Sequence, residues 1–241
     1  MNKSASEQYF AVVPAAGVGR RMGNASSDSL PKQYLPIAGK TILEHTLSTL
    51  IQGQKLQRVI VAVAEADSHW QSLSIFDQPI IHTVTGGDER HQSVLNGLQA
   101  LENVAADDDW VLVHDVARPC VSWQDINHLI DTVNTHTVGG ILAVPMSDTV
   151  KQVFEKNHIK KTVDREGLWR ALTPQMFRYG LLKRALESAL AKRQSITDEA
   201  SAIELAGLTP IIVEGASSNI KVTRPEDLAL AEYYLKQGVT S

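Results

Sequence analysis

The chain alternates short apolar runs with longer segments in which apolar residues recur every three or four positions. The short runs, Phe10–Val13, Val59–Val63, Ile80–Val84, Trp110–His114 and Ile141–Val144, read as buried strands, with later candidates at Ile211–Val213 and Ile220–Val222. Between them, Ile42, Leu43, Thr46, Leu47 and Leu50 mark one helix face, and Val94, Leu95, Leu98 and Leu101 a second. Leu181, Leu182, Ala185, Leu186 and Ala189 mark a third. Thr223-x-x-Glu226, with Pro225 in the first turn, predicts a final helix through Leu235. Strands separated by helical segments imply right-handed βαβ units and a mainly parallel sheet, hence a Rossmann-like three-layer α/β/α fold. In such sheets ligands bind beyond the carboxyl ends of the strands.

Two segments break the rhythm. Asn24 to Ser29 is small and polar and reads as a loop or flap. From Asp148 to Arg165, apolar and polar residues alternate around Glu155-Lys156-Asn157-His158, the pattern of a β-hairpin protruding from the sheet. An isolated hairpin is marginal in water. This arm, at about 147–166, therefore needs something to pack on, and a second copy of the chain is the simplest partner.

The first strand runs into a proline and then a small-residue turn, Pro14-Ala15-Ala16-Gly17-Val18-Gly19, followed by Arg20, Arg21 and, after the polar loop, Lys32. Alanine and glycine let backbone approach a ligand closely, and guanidinium and ammonium groups suit phosphate oxygens. The turn predicts a nucleotide-phosphate site. It is not a Walker A loop, because the glycine required five residues before Gly39-Lys40-Thr41 is Tyr34. It is not the dinucleotide fingerprint either, since Met22 stands where a third glycine belongs. An ordinary strand-to-helix turn would explain Gly17 and Gly19, though not the cations.

Composition narrows the classes. At 241 residues and 43% hydrophobic, the chain can bury one core, so a single domain spanning 1–241 is expected. A formal charge of −4 argues against a nucleic-acid partner, and the basic residues cluster in short motifs, as a small anionic substrate requires. The single cysteine, Cys120, excludes an intrachain disulfide and a thiolate metal site. Met1 to Gln8 lacks the apolar core of a signal peptide, and no apolar run approaches the ~20 residues of a membrane span. The expectation is a soluble, cytoplasmic protein without membrane contact.

Polar motifs fall where the sheet rule wants them. After the third run come Gly86-Gly87-Asp88-Glu89-Arg90 and then Ser93, which offer exposed backbone and a hydroxyl, or alternatively a turn with Asp88 as helix cap. Asp115 closes the fourth run, ahead of Val116-Ala117-Arg118-Pro119; it suits hydroxyl or metal-linked contacts, or a turn or helix cap. Asp107-Asp108-Asp109 precedes that strand and reads as a solvated loop. Asp148-Thr149, Asp164-Arg165, Thr173-Pro174-Gln175, Thr197-Asp198-Glu199 and Lys221-Val222-Thr223-Arg224 continue the set. Thr197 and Asp198 equally suit a cap for a helix running to Gly207, and Arg165 a solvated charge. The eight histidines lack metal-binding spacing, His114 reads as a packed residue rather than a base, and no Ser/His/Asp or Cys/His set can be assembled.

Taken in order, these strings resemble the 2-C-methyl-D-erythritol 4-phosphate cytidylyltransferases of the non-mevalonate isoprenoid pathway. The matching strings are Val13 to Met22, Pro31 to Tyr34, Gly86 to Arg90, His114-Asp115 with Ala117 to Pro119, Val163 to Arg165, Leu172 to Gln175, Ile196 to Ala200 and Asn219 to Asp227. The resemblance runs from about Phe10 to Leu235 and departs at Val116, where the family usually has alanine, and in a slightly longer Asn24–Ser29 segment. It implies attack of the polyol phosphate on the α-phosphorus of CTP, giving a CDP-alcohol and pyrophosphate. Arg21 and Lys32 would then be catalytic, stabilising the transition state. Pro14, Ala15, Ala16, Gly17, Gly87, Asp88, Ser93, Ala117 and Lys221 would bind CTP. Asp115, Arg118, Thr149, Arg165 and Lys221 would hold the polyol phosphate, with Thr149 and Arg165 reaching a neighbouring subunit's site in a homodimer formed through the β-arm. Mg²⁺ would be carried mainly by the CTP phosphates, with no dedicated protein ligands. The competing readings are a ribitol 5-phosphate or other sugar-phosphate nucleotidylyltransferase on the same scaffold, a non-catalytic nucleotide-binding protein, and, more weakly, a dehydrogenase.

Overall fold

The computed structural model describes residues 7–17 and 30–238, so Arg20, Arg21 and the Asn24–Ser29 segment lie outside the described residues. In chain order the elements are β1 (Tyr9–Pro14), β2 (Pro36–Ile37), β3 (Lys40–Thr41), α1 (Ile42–Gln52), β4 (Leu56–Val63), β5 (Ile81–Thr85) and α2 (Arg90–Gln99). They continue with β6 (Trp110–Val113), α3 (Trp123–Val133), β7 (Gly139–Pro145), β8 (Val150–Val153), β9 (Ile159–Val163), β10 (Trp169–Arg178), α4 (Tyr179–Ala191), α5 (Glu199–Leu205), β11 (Ile211–Glu214) and α6 (Pro225–Lys236). None of the described helices is long and apolar enough to cross a membrane.

Seven strands form one sheet in the order β11-β7-β10-β6-β1-β4-β5. All its pairings are parallel except those of β10, which runs antiparallel between β6 and β7. β1 sits near the middle, and its successive residues feed opposite cores. Ala11 and Val13 pack with Leu43, Leu47 and Leu50 of α1 and Ile126, Leu129 and Val133 of α3. Phe10 and Val12 pack with Val94 and Leu98 of α2, Leu182 and Leu186 of α4 and Ile203 of α5. Burial on both faces is why these strands read as continuous apolar runs rather than alternations. The three-layer, mainly parallel expectation holds.

Three expectations change. Ile220–Val222 is irregular chain, not a strand; Val222 instead buries with Ile37, Ile42, Cys120 and Ala231 beneath α6. β10 is absent from the predicted strands, and Pro174 within it argues against a central strand. The chain admits it through a register irregularity between Ala171 and Gln175. In α6 the first-turn acid that closes the cap is Asp227 rather than Glu226. With Pro225 as first helical residue, Asp227 Oδ2 accepts from the Thr223 and Arg224 amides at 2.8 Å each.

The arm forms as expected: among the described residues β8 and β9 pair only with each other as an antiparallel ribbon, Val150 opposite Val163. Val153, Phe154 and Ile159 stand 53%, 57% and 61% exposed on it, an apolar tip on an otherwise basic hairpin. The triple-aspartate loop is less solvated than its composition suggests. Asp109 is buried, accepting from the Gln8 and Ala106 amides at 2.8 Å each, and so braces the entry to β1.

Candidate active site

A cavity of about 670 Å³ opens at the carboxyl ends of β1, β4, β5 and β6, within the range of roughly 300–1,000 Å³ typical of small-molecule sites. Pro14, Ala16 and Gly17 line it after β1, Ala64 and Glu65 after β4, Gly86 to Arg90 with Ser93 after β5, and Asp115 to Ala117 after β6. Lys32, Lys221 and Thr223 complete the wall. The sheet rule is obeyed: the parallel strands deliver their following loops to one rim.

The glycine side is built by close approach. The Ala15 amide donates to the Ala62 carbonyl at 2.8 Å and the Gly86 amide to the Val63 carbonyl at 2.7 Å, tying the loops after β1 and β5 to β4. A Cβ at Gly86 would lie 2.5 Å from Ala16 Cβ and 2.9 Å from Ser93 Oγ, so this position tolerates no side chain. Ser93 Oγ accepts from the Gly87 amide at 3.0 Å, which shapes the glycine turn. The cap of α2 is Glu89, whose amide donates to Gln92 Oε1 at 3.1 Å, so Asp88 is not the cap and stands exposed at the cavity. Val116, the departure from the family pattern, is 6% exposed; its carbonyl accepts from Thr46 Oγ1 at 2.9 Å.

Lys32 is presented by a short 3-10 turn, Lys32–Tyr34, whose other two residues are anchors. Gln33 Nε2 donates to the Ala15 carbonyl at 3.0 Å, and Tyr34 OH donates to Asp67 Oδ2 at 2.7 Å. Burial and then the Asp67 carboxylate push the Tyr34 phenol well above its usual range, so it stays neutral and donating. Lys32 Nζ reaches the Val222 carbonyl at 3.3 Å, beside Lys221. The turn thus brings two lysines from opposite ends of the chain to one wall.

Asp115 is the hub of the floor. Arg90 Nε donates to its Oδ1 at 2.7 Å, and Lys221 Nζ to its Oδ2 at 2.7 Å. Arg118 Nε lies 3.9 Å from Oδ2 and has no hydrogen-bond acceptor among the described residues, while Arg118 NH1 donates to the Asn219 carbonyl at 2.8 Å. Arg90 spends its two other nitrogens on Glu199, at 2.6 and 3.0 Å. Burial alone would raise the Asp115 carboxyl, but Arg90 and Lys221 outweigh it and hold it well below the usual carboxylate range. Burial would likewise lower Arg90, and Glu199 and Asp115 more than reverse that. Asp115 and Arg90 are therefore both ionised at neutral pH.

Of the residues singled out in the sequence, Pro14, Ala16, Gly17, Lys32, Gly87, Asp88, Ser93, Asp115, Ala117 and Lys221 meet at the cavity. Ala15 turns its side chain into the core and offers only backbone. Arg118 sits just behind the lining, against Asp115. Thr149 and Arg165 are exposed at the base of the arm, where the Arg165 guanidinium donates to the Ser147 carbonyl. Arg21 lies outside the described residues. Sequence reading assigned no role to Arg90 or Glu199, although both fall in matched strings. Pairing across such a separation leaves no local spacing signal, and Glu199 looks like an ordinary first-turn acid behind its cap, Asp198.

Behind Asp115, His114 is fully buried. Its Nε2 faces the Arg118 carbonyl at 3.2 Å, which fixes the proton there, and Thr173 Oγ1 donates to Nδ1 at 3.0 Å. The same Thr173 oxygen accepts the Asp115 amide at 3.0 Å. Burial pushes the imidazole down to about 4 from 6.5, so it is no base at neutral pH. The folded state binds its proton less readily than the unfolded one, so the stabilisation is full above pH 6.5 and is lost as pH falls through about 4. Across that window the loss is on the order of 3 kcal/mol. Denaturant unfolding of the wild type should therefore weaken more steeply on acidification than that of His114→Gln. Parallel pH profiles would show the ring to be of no consequence.

The family model described as 2-C-methyl-D-erythritol 4-phosphate cytidylyltransferase matches residues 9–237. A protein of that name from Vibrio vulnificus (strain YJ016) is 54% identical over 227 residues, 94% of each chain. One from Escherichia coli O17:K52:H18 is 51% identical over 230 residues, covering 95% of this chain and 94% of its own. Among solved structures, the 2-C-methyl-D-erythritol 4-phosphate cytidylyltransferase of Francisella tularensis superposes with a TM-score of 0.81 at 37% identity, over 95% of this chain and all of that one. The enzyme of that name from Thermus thermophilus does so at 0.77 and 29% identity, over 95% and 99% of the two chains.

Proposed function

This chain belongs to the 2-C-methyl-D-erythritol 4-phosphate cytidylyltransferase family, and from that membership we propose that the cavity over Asp115 is where CTP meets the polyol phosphate. The reaction transfers CMP to 2-C-methyl-D-erythritol 4-phosphate and releases pyrophosphate. The observation that carries the assignment is that Lys32, Lys221 and the Gly86–Gly87 turn line one cavity although they come from distant parts of the chain.

A phosphate oxygen of the polyol forms a bond to the α-phosphorus of CTP. The bond from that phosphorus to the bridging oxygen breaks, and pyrophosphate leaves with the electron pair. The nucleophile is already anionic, so no general base is needed, which suits a floor whose histidine is neutral and buried. The barrier is repulsion among phosphates and crowding at phosphorus, so positioning and preorganised charge supply the catalysis. Lys32 and, by family resemblance, Arg21 stabilise the charge that develops on the α-phosphoryl group. Backbone at Pro14 to Gly17 and at Gly87 and Ala117, with Asp88 and Ser93, receives the nucleoside. Asp115 accepts from a polyol hydroxyl, Lys221 faces the polyol phosphate, and Arg118 adds its charge from just behind the lining.

The donor set also fits Mg²⁺ carried by CTP. Each oxygen of Asp115 already bonds a cation, and the exposed carboxylates at the cavity are Glu65, Asp88 and Glu89. When bound, the ion screens phosphate charge and needs few protein ligands. The arm supports a homodimer: a two-stranded ribbon with Val153, Phe154 and Ile159 exposed at its tip is not self-sufficient, and Thr149 and Arg165 at its base would enter the neighbouring site.

Pyrophosphate release tests the assignment. With CTP and Mg²⁺, release should depend on 2-C-methyl-D-erythritol 4-phosphate, and UTP or ATP should support far less. Release with ribitol 5-phosphate alone would keep the chemistry and overturn the substrate. Silence with every pair in a folded, CTP-binding protein would overturn the enzyme.

A further inference from the structure

We propose that Glu199 is a positioning residue for the polyol-phosphate half of the site, acting through Arg90 to fix the Asp115 carboxylate and its contact with Lys221. The inference rests on the reading above that Asp115 and Lys221 hold the polyol phosphate.

Glu199 has no exposed surface and is absent from the cavity wall, so it touches no substrate. Its backbone is nonetheless held firmly. Gln175 of β10 donates from Nε2 to Asp198 Oδ2 at 2.8 Å and accepts the Ala200 amide on Oε1 at 2.9 Å, gripping the residues on either side of Glu199. From that clamp the Glu199 carboxylate takes NH1 and NH2 of Arg90 together, at 2.6 and 3.0 Å. A bidentate pair fixes the plane of a guanidinium as well as its position. Only the Nε edge remains, and it is presented to Asp115 Oδ1 at 2.7 Å. Oδ2 is thereby left for Lys221 and turned towards Arg118.

The pairing also decides what Arg90 does not do. Arg90 lines a cavity meant for phosphates, and a guanidinium with two free nitrogens would bind one in forked fashion. With that edge occupied by Glu199, it acts on Asp115 instead and leaves the phosphates to the lysines. A simple ion pair bracing α5 against α2 would need only the Arg90–Glu199 contact. The further bond to Asp115, with Lys221 on its other oxygen, extends the chain of alternating charges into the cavity.

The test is steady-state kinetics on the full-length enzyme with both substrates varied. Glu199→Gln keeps the volume and removes the charge. Loss of an aligned charge-assisted hydrogen bond corresponds to roughly a 10-fold effect or more. KM for 2-C-methyl-D-erythritol 4-phosphate should rise by about that much in a folded variant, while KM for CTP stays within about 2-fold. Arg90→Lys keeps the positive charge but cannot span two carboxylates, and should show the same split. In an Asp115→Asn background, Glu199→Gln should add less than about 2-fold, since the two act in series. Equal rises in both KM values, or unchanged kinetics with only a lower Tm, would overturn the proposal. If Glu199→Gln fails to fold, Glu199→Asp and Arg90→Lys are read by the same split. If Asp115→Asn alone leaves KM for the polyol phosphate unchanged, the site reading itself falls and takes the proposal with it. If Asp115→Asn raises it and neither Glu199→Gln nor Arg90→Lys does, only the proposal falls.

Discussion

Lys32→Ala is expected to lower turnover by ~10²–10³, or roughly 3–4 kcal/mol of barrier, in a protein that still folds. The size follows from what the ammonium faces. It lines the cavity beside Lys221, on a turn held by Gln33 and Tyr34, whose anchors survive the substitution. A charge stabiliser built into the site costs no reorganisation when the phosphoryl group becomes crowded, which is why its removal is felt in kcat rather than in substrate binding. Pyrophosphate release at saturating substrates, with CTP affinity read by calorimetry, measures both. A folded Lys32→Ala protein with near wild-type turnover would remove Lys32 from the chemistry. Arg21→Ala should behave alike on the strength of the family resemblance.

Arg165→Ala should raise KM for the polyol phosphate by roughly 10- to 100-fold, the worth of a hydrogen bond between charged groups, and leave CTP affinity nearly unchanged. Arg165 is exposed beside the stem of the arm and is not among the residues that line the cavity of its own chain. If the arm serves the neighbouring subunit, Arg165→Ala and Lys32→Ala damage complementary halves. A mixed dimer of the two then contains one site with both residues intact and one with neither. Co-expressed and purified as heterodimers, the pair should recover close to half the wild-type activity, although each parent alone is weak. Failure of the mixture to exceed its parents would confine Arg165 to its own subunit or to no site.

How far the sequence could carry this picture depended on whether the relevant order is local. β1, β4, β6 and β7 were legible because a strand buried on both faces is a run of apolar residues, the edge strand β5 from its β-branched residues, and α1 and α2 because a helix with one buried face repeats at its own period. The arm was legible from alternation. β10 was not, since Pro174 interrupts its run and Thr173 and Gln175 add polar side chains with tasks outside the pleat. Thr173 bonds the Asp115 amide, and Gln175 grips α5. The final cap slipped by one residue because Thr223 and Arg224 both bind Asp227, a choice that periodicity does not record. Within the site, loops that follow strands were found directly, and the lysines followed from family resemblance and charge. The Arg90–Glu199 pair was hidden for the opposite reason. It joins the starts of α2 and α5 across the fold, and Glu199 alone resembles an ordinary helix-start acid.

That pair also constrains how the gene can drift. Removing one member of a buried ion pair costs about 3–5 kcal/mol, against a total stability of about 5–15 kcal/mol for a typical domain. Glu199 has no exposed surface, whereas Arg90 is 27% exposed on the cavity wall and also holds Asp115. A substitution that removes the Arg90 charge therefore strands the Glu199 carboxylate, and one that removes Glu199 frees the Arg90 fork towards the cavity, so a double replacement passes through one of those intermediates. To a population the two positions behave as one locus with few neutral neighbours, and a lineage that repaints the rest of this cavity for another polyol would be expected to carry both residues along.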